Sequence, residues 1–251
     1  MQHLCHAVGF NGKLIIPEGV VYIGQSTFGG CSGINGNLTI PSSVEKIEDS
    51  AFDNCKGING TLTIGMKKIP GTSIFRSMAP CKLVIKNTVE TIEDGGDGLG
   101  VFALKNLTKG IVIEKGVKYI GKNAFNCIEI SGDLIIPDSV TTLGEGAFTG
   151  AKVTGKIEIP NSITKFVEGC FSNCKSNKLI IGIQDIQKES FTVSEFDEII
   201  LNDTVERIGQ KAFAGSRINE DLIIPSSIKE MTDGFYGASF KGNITVRMWS
   251  N

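Results

Sequence analysis

One pattern of apolar and polar positions returns along the chain at intervals of 20 to 28 residues. The consensus copy opens with two apolar residues separated by one position, continues as Pro-x-Ser-Val-x-x-Ile-Gly, and reaches Ala-Phe before a turn rich in Gly, Asn and Cys. The clearest copies run over residues 38–52 and 134–148. About ten and a half copies occupy residues 12–251, and an irregular segment, 1–11, precedes them.

Each part of the copy predicts its own local structure. The Leu-x-Ile part alternates with a period of two and predicts a short strand whose two anchors face inward, and the Pro after it ends that strand. The Val-x-x-Ile part predicts a second extended or turn-like piece. The Ala-Phe part is too short for a stable helix and predicts a single helical or 3-10 turn. Its Phe, here called the slot Phe, recurs at Phe28, Phe52, Phe75, Phe102, Phe125, Phe148, Phe171, Phe191, Phe213 and Phe235.

Stacking of the copies determines the expected fold class. One copy cannot bury its own Leu, Ile, Val and Phe, whereas stacked copies share a continuous core. We therefore predict a mainly β repeat solenoid forming a single domain over 12–251. The copies at 65–110 and 182–195 depart from the pattern, and we expect the stack to bend or to project a loop there.

The BspA-like leucine-rich repeat is similar to the copy that runs Leu38-Thr39-Ile40-Pro41-Ser42-Ser43-Val44, passes Ile47, and ends Ala51-Phe52-Asp53-Asn54-Cys55. The likeness extends from residue 12 to about 246. It implies a curved, right-handed leucine-rich-repeat stack with a parallel sheet on the concave face and short helical or 3-10 turns opposite. It also implies a secreted or cell-surface protein of bacterial or protozoal type that adheres to a protein or glycan of host matrix or cells. Such a repeat carries no catalytic residues to transfer.

Composition narrows the classes of partner. The net charge is −2, with both signs spread along the chain, which argues against nucleic acid because phosphate binding requires a clustered basic surface. No run approaches the roughly 18 apolar residues that span a bilayer, so membrane insertion is not expected. Residues 1–10 lack the basic and apolar regions of a signal peptide.

The seven cysteines follow the repeat. Cys31, Cys55 and Cys174 lie three residues after a slot Phe, and Cys127 lies two after. Residues at equal phase stack in a solenoid, so we predict small, buried packing groups. A disulfide between Cys31 and Cys55, in adjacent copies, stays open. The spacing of Cys170 and Cys174 lacks the further ligands that a metal site requires.

Candidate chemistry is sparse. The only histidines, His3 and His6, lie with Cys5 in the irregular N-terminal segment, where they could bind a metal adventitiously. With no other histidine, a Ser-His or Cys-His mechanism has no base. The loop at 94–98 carries Asp94 and Asp97 among glycines but lacks an EF-hand register, which leaves a rim insertion or a weak calcium site. We predict no enzyme, no cofactor and no metal centre.

The strand alternation exposes the residue between the two anchors. This column, here called the stripe, is β-branched at every position but one: Ile15, Thr39, Thr63, Val84, Val112, Ile135, Glu158, Ile180, Ile200 and Ile223, then Thr245. The column before it is polar. β-Branched residues favour strands wherever they lie, but a continuous exposed apolar patch usually marks a contact surface. We predict a recognition module that binds a protein or glycan through the stripe, the alternative being a structural spacer that projects another domain. Trp249, after the final strand, is predicted to cap the core.

Overall fold

The computed structural model describes residues 11–72, 74–75, 78, 81–96, 100–102 and 106–247. They form a parallel β-solenoid of about nine turns. No helix occurs among these residues. His3, Cys5, His6, Asp97 and Trp249 lie outside the described residues, so the predictions made for them stay predictions.

The first ladder of strands, here called the anchor sheet, carries the Leu-x-Ile anchors, and its strands pair in parallel. Both anchors of a strand point inward, as predicted, so Leu38 and Ile40 are fully buried while Thr39 is exposed. The strands are Leu38–Ile40, Thr61–Ile64, Lys82–Ile85, Ile111–Ile113, Leu134–Ile135, Lys156–Ile159, Lys175–Ile181, Glu195–Leu201, Leu222–Ile224 and Ile244–Val246.

The second ladder is formed by the Val-x-x-Ile part, where a short extended piece was predicted. Each strand is two residues long, and its second residue is buried in all but the last strand. The strands are Tyr22–Ile23, Lys46–Ile47, Lys68–Ile69, Thr91–Ile92, Tyr119–Ile120, Thr142–Leu143, Lys165–Phe166, Asp185–Ile186, Arg207–Ile208 and Glu230–Met231.

A third ladder, which sequence reasoning missed, follows the turn after the slot Phe. It consists of Asn106–Leu107, Glu129–Ile130, Lys152–Val153, the first residues of Lys175–Ile181 and Glu195–Leu201, Arg217–Ile218, and Ser239–Phe240. In most coils its inward residue lies four positions before the first anchor, as Ile130 does before Leu134. In Lys175–Ile181 and Glu195–Leu201 the connection is shorter, and the third ladder runs directly into the anchor sheet.

The core is one continuous hydrophobic cluster between the ladders. The slot Phe rings stack from Phe28 to Phe235, with successive ring centroids 4.9 to 6.4 Å apart. Near-parallel rings at this separation bury most of the aromatic surface of every coil. The prediction that like side chains would form a ladder is confirmed for this position.

The Ala-Phe part contains single turns closed by i→i+3 hydrogen bonds, such as that from the Asn126 N–H to the Asn123 carbonyl at 3.1 Å, but these turns do not continue into a 3-10 helix in the described residues. It is a series of tight turns with a left-handed residue two positions before the slot Phe and another two positions after it, such as Asn123 (φ 53°) and Cys127 (φ 56°) around Phe125. A left-handed residue cannot continue a right-handed helix. Gly and Asn are frequent at the second position because they adopt this conformation at low cost.

The Ser of Pro-x-Ser-Val joins neighbouring coils. Its hydroxyl donates a hydrogen bond of 2.7 to 3.0 Å to a backbone carbonyl of the preceding coil, that of the Val at the corresponding Val position of this element. The pairs are Ser43 with Val20, Ser139 with Val117, Ser162 with Val140, and Ser227 with Val205. The repeated Ser is therefore a structural residue of the stack.

Candidate functional site

The stripe lies on the outer face of the anchor sheet. Its residues are in parallel register in three groups: Thr39, Thr63, Val84 and Val112; then Ile135, Glu158, Ile180 and Ile200; then Ile223 and Thr245. Ile15 precedes the first strand of the sheet, outside this register. The structure thus brings together every other residue that the sequence assigned to the stripe.

Exposure along the stripe is uneven. Ile135 is 48% exposed, Ile223 43% and Val112 40%. The stripe residues inside each group, such as Val84 and Ile180, are less exposed because each has a neighbouring strand on both sides. Within the paired strands, the most accessible apolar residues of the stripe therefore lie where one group of strands gives way to the next, and Ile15, before the first strand, is more exposed still.

A cleft opens at the first of these junctions. No strand pairing joins Ile111–Ile113 to Leu134–Ile135 among the described residues. A cavity of about 430 Å³ lies there, lined by Val112 and Ile135 with Lys82, Lys109 and Asp133 at its polar side. Apolar walls with a few charged groups are the usual composition of a binding cleft.

A second cleft lies at the other junction, between Glu195–Leu201 and Leu222–Ile224. Its volume is about 200 Å³, and its lining combines Ile200 and Ile223 with Glu198, Asp203, Asp221 and Arg247. The stripe thus connects two recesses of opposite polar character: Lys predominates in the first and carboxylates in the second.

Charged pairs border the stripe on both sides. Lys178 and Glu198 form a cross-strand pair at 2.5 Å on one side, and Lys86 and Glu114 form one at 2.6 Å on the other. The hydrogen bond from Lys86 holds the pKa of Glu114 below its usual value. Paired charges of this kind leave a border that is polar but close to neutral, which suits a partner without strong net charge.

The predicted burial of the cysteines is confirmed at three positions, Cys31, Cys55 and Cys174. The Cys55 and Cys174 thiols each lie near the carbonyl oxygen of the slot Phe one coil earlier, at 3.1 Å for Phe28 and 3.0 Å for Phe148. Burial raises the pKa of both thiols to about 12. They are inert packing groups that also donate a weak hydrogen bond.

The prediction is wrong at Cys127. This residue is exposed because it occupies the left-handed position two residues after the slot Phe, where the side chain points outward. The open question of a disulfide between Cys31 and Cys55 is also answered: Cys31 is disulfide-bonded, while Cys55 is a free thiol, so this pairing is ruled out. Equal phase alone could not show either outcome.

The loop after Thr91–Ile92 gives Asp94 a structural role. Its Oδ1 accepts hydrogen bonds from the Tyr119 hydroxyl at 2.5 Å and from the backbone N–H of Lys122 at 2.8 Å. The bond from Tyr119 lowers the pKa of Asp94 and raises that of Tyr119 to about 12. No cluster of three or more His, Cys, Asp or Glu with metal-binding geometry occurs in the described part of the chain.

Among the described residues, no helix is long and apolar enough to cross a membrane.

Known proteins resemble this chain in sequence pattern and in fold. A leucine-rich repeat protein from Bacteroides ovatus ATCC 8483 is 19% identical, with 92% of this chain and 83% of that chain covered and a TM-score of 0.37. A leucine rich cell surface protein from Faecalibacterium prausnitzii A2-165 is 16% identical, with 93% and 88% covered and a TM-score of 0.45. No curated protein matches the chain.

The repeat itself is matched by a family model described as BspA type leucine rich repeat region (6 copies). The matches cover residues 10–131, 98–178 and 118–242, which together span most of the chain. The matched repeat contains the anchors, the slot Phe and the Pro-x-Ser-Val element, whose stacking in the structure is described above. The chain belongs to the BspA-type leucine-rich repeat family.

Proposed function

We propose that this chain is a non-enzymatic recognition or adhesion module that binds a protein or glycan of a host matrix or cell surface through the stripe. The fold is that of an interaction or surface module. The observation that carries the finer proposal is the pair of clefts at the ends of the central strand group, each walled by stripe residues. Val112 and Ile135 wall one, and Ile200 and Ile223 wall the other.

The chemistry of the stripe favours a partner that buries apolar surface against a flat face. Ile135 and Ile223 present isoleucine side chains that are nearly half exposed on the sheet, so covering the remaining area contributes roughly 0.7–1.5 kcal/mol each, about half of the value for burying a whole side chain. A mixed protein surface or the apolar face of a sugar ring meets this requirement, with the paired charges at the border supplying hydrogen bonds.

We also assign the chain to a secreted or cell-surface location. The family resemblance supports it, and so does the disulfide at Cys31, because such bonds persist in oxidising compartments. We further propose that the anchor sheet forms the concave side of a right-handed stack, as the family resemblance implies.

A binding screen with matched variants tests the proposal. The wild-type chain is applied to arrays of purified matrix proteins and glycans, beside a variant that combines Ile135→Lys, Ile180→Lys and Ile200→Lys. The control is Val167→Lys, which changes an apolar residue that is 40% exposed outside the anchor sheet. We expect specific binding that is lost in the triple variant and kept in the control.

Two outcomes contradict the proposal. Binding that survives in a folded triple variant removes the stripe from the interaction. Absence of any ligand for the wild-type chain favours the spacer alternative, in which the solenoid holds another domain at a distance. Circular dichroism on all three proteins establishes that each has kept its fold.

A further inference from the structure

The two irregular coils share one change in the chain. In a regular coil, seven positions separate the second anchor from the buried residue of the second ladder, as from Ile40 to Ile47, whereas only five separate Ile64 from Ile69 and Ile181 from Ile186. Gly replaces Pro directly after the anchor in both. A Cβ at Gly182 would lie 3.0 Å from the Ile159 carbonyl oxygen, so the shortened connection crosses close to the preceding coil.

The shortened connection breaks the second ladder. Among the described residues, Lys46–Ile47 does not pair with Lys68–Ile69, although each pairs with its other neighbour. In a regular coil the residue after the strand donates its N–H to the preceding coil, as Gly144 does to Ile120 at 2.8 Å. Pro70 occupies this position in the short coil and has no N–H to donate.

Open backbone groups therefore line the break. Lys46 uses its backbone groups to pair with the preceding coil. Because backbone groups of neighbouring residues in a strand point to opposite sides, the N–H and C=O of Ile47 face the break. By the same alternation, the N–H and C=O of Lys68 face the break from the next coil. Exposed strand edges of this kind accept an additional strand from a partner.

The break lies in an acidic groove. A cavity of about 530 Å³ is lined by four carboxylates, two lysines and four uncharged residues: Glu45, Glu48, Asp49 and Glu93; Lys46 and Lys68; Gln25, Ile47, Pro70 and Thr72. Lys46 pairs with Glu48 at 3.0 Å, and its hydrogen bond holds the pKa of Glu48 below the usual value. A further recess shares Thr72 and Glu93 with this groove and adds Asp94. The lining therefore carries an excess of negative charge beside the open edge.

The second short coil provides an internal comparison. There too the second ladder is interrupted, between Lys165–Phe166 and Asp185–Ile186. At this break the strand residue Asp185 is paired with Arg207 of the next coil at 2.5 Å, so this carboxylate is offset by a guanidinium.

We propose that the acidic groove binds an extended, Lys- and Arg-rich segment of a partner protein, which adds a strand along the edge at Ile47. The partner's backbone would hydrogen-bond to the open N–H and C=O groups, and its alternate basic side chains would meet Glu45, Glu48 and Glu93. The groove lies on the second ladder and not on the anchor sheet. It is therefore a second interaction surface, independent of the stripe.

Fluorescence anisotropy on the full chain tests the proposal with two labelled peptides, one alternating Lys with Thr and one alternating Glu with Thr. We expect the Lys peptide to bind and the Glu peptide not to bind. The double variant Glu45→Lys, Glu93→Lys should weaken the Lys peptide by about tenfold or more. The matched control, Glu168→Lys with Glu220→Lys, reverses two exposed carboxylates elsewhere and should leave the affinity within about twofold.

A modified peptide separates the edge from the charge. The second ladder is interrupted at the second short coil although Gln187 has an N–H at the position of Pro70, so the peptide is changed and not the protein. N-methylation of the Thr residues of the Lys peptide removes the N–H groups that would pair with the edge but keeps every charge, and this peptide should bind at least about tenfold more weakly. The proposal is overturned if the Lys peptide does not bind the wild-type chain, if both double variants weaken it equally, or if the N-methylated peptide binds as the unmodified one does. The stripe variants should leave this binding unchanged, so that failure here and failure of the proposed function are told apart.

Discussion

The Ser43 hydroxyl donates a hydrogen bond of 3.0 Å to the backbone carbonyl of Val20, one coil earlier in the stack. The same oxygen accepts the backbone N–H of Gly19 at 3.0 Å. The serine thus satisfies one donor and one acceptor of a turn that the ladders do not pair. Where the preceding coil is short, a threonine makes the corresponding bond to a glycine carbonyl, as Thr88 does to Gly65 at 2.6 Å.

We expect Ser43→Ala to lower the free energy of unfolding by about 0.5–1.5 kcal/mol, because it removes the hydrogen bonds to the partly buried carbonyl of Val20 and to the exposed N–H of Gly19. Urea unfolding followed by circular dichroism measures the change. The control is Ser42→Ala at the neighbouring exposed position, which should stay within about 0.5 kcal/mol of wild type. Equal effects of the two substitutions would contradict the structural role of Ser43.

The slot Phe column predicts a strong dependence on position. Phe148 is fully buried, with ring centroids 5.1 Å from Phe125 and 5.0 Å from Phe171. Phe148→Ala should therefore cost about 3–5 kcal/mol in thermal or urea unfolding. Phe235, in the last coil, is only partly buried, and Phe235→Ala should cost clearly less. A larger loss at Phe235 than at Phe148 would show that the column is not the common core of the stack.

Val193 should be a site of stored backbone strain. It occupies the left-handed position after its slot Phe, with φ 55°, although it is β-branched and 67% exposed. The corresponding residues Gly150 and Gly215 adopt this conformation without a side chain. Since a side chain costs roughly 1–2 kcal/mol there, Val193→Gly should raise the unfolding free energy by about 1 kcal/mol. Val167→Gly, at an exposed valine without positive φ, should lower it, and a loss of stability in both variants would argue against strain at Val193.

The free thiols should differ sharply in reactivity. Burial raises the pKa of Cys174 and Cys170 to about 12 and that of Cys81 to about 11, whereas Cys127 is exposed. A thiol stays protonated at any pH well below its pKa. The reactive thiolate of the three buried cysteines is therefore scarce at pH 8 and increases only as the pH approaches their raised pKa values. Iodoacetamide at pH 8, with peptides mapped by mass spectrometry, should modify Cys127 first. Modification of Cys174 at the same rate in the folded chain would contradict the buried packing.

Repetition is what made the anchors and the slot Phe predictable from the sequence. A side chain such as Leu134 or Phe148 recurs at fixed phase because each coil buries the same positions against its neighbours. The third ladder has weaker signals: its strands in most coils are two residues long, so Ile130 stands as a single apolar residue among polar ones. Its recurrence four positions before the first anchor is the signal that could have identified it.

The conformation of the turns could not be predicted from the sequence, for a different physical reason. Two positions before the slot Phe, the left-handed residue is Ser50, Glu189 or Lys211 in some coils and Asn123, Gly146 or Gly169 in others. Only Asn and Gly favour that conformation, so the sequence alone does not predict a left-handed residue in every coil. The hydrogen bonds of the stack impose it, as where Glu189 donates its backbone N–H to the Gln210 carbonyl at 3.2 Å. The breaks in the ladders likewise depend on contacts between coils.

The most direct test of the stripe as a binding surface is the dissociation constant of a ligand identified on the arrays, measured by biolayer interferometry for the wild-type chain and the three-lysine stripe variant. Each of the three isoleucine side chains is already about half buried in the free chain, so covering the rest contributes roughly 0.7–1.5 kcal/mol each, and together they correspond to roughly 30-fold to 2,000-fold weaker binding in the variant. We expect a loss of at least about thirtyfold, with Val167→Lys unchanged. A folded variant that binds within about threefold of wild type would show that recognition, if it occurs, uses another face of the solenoid.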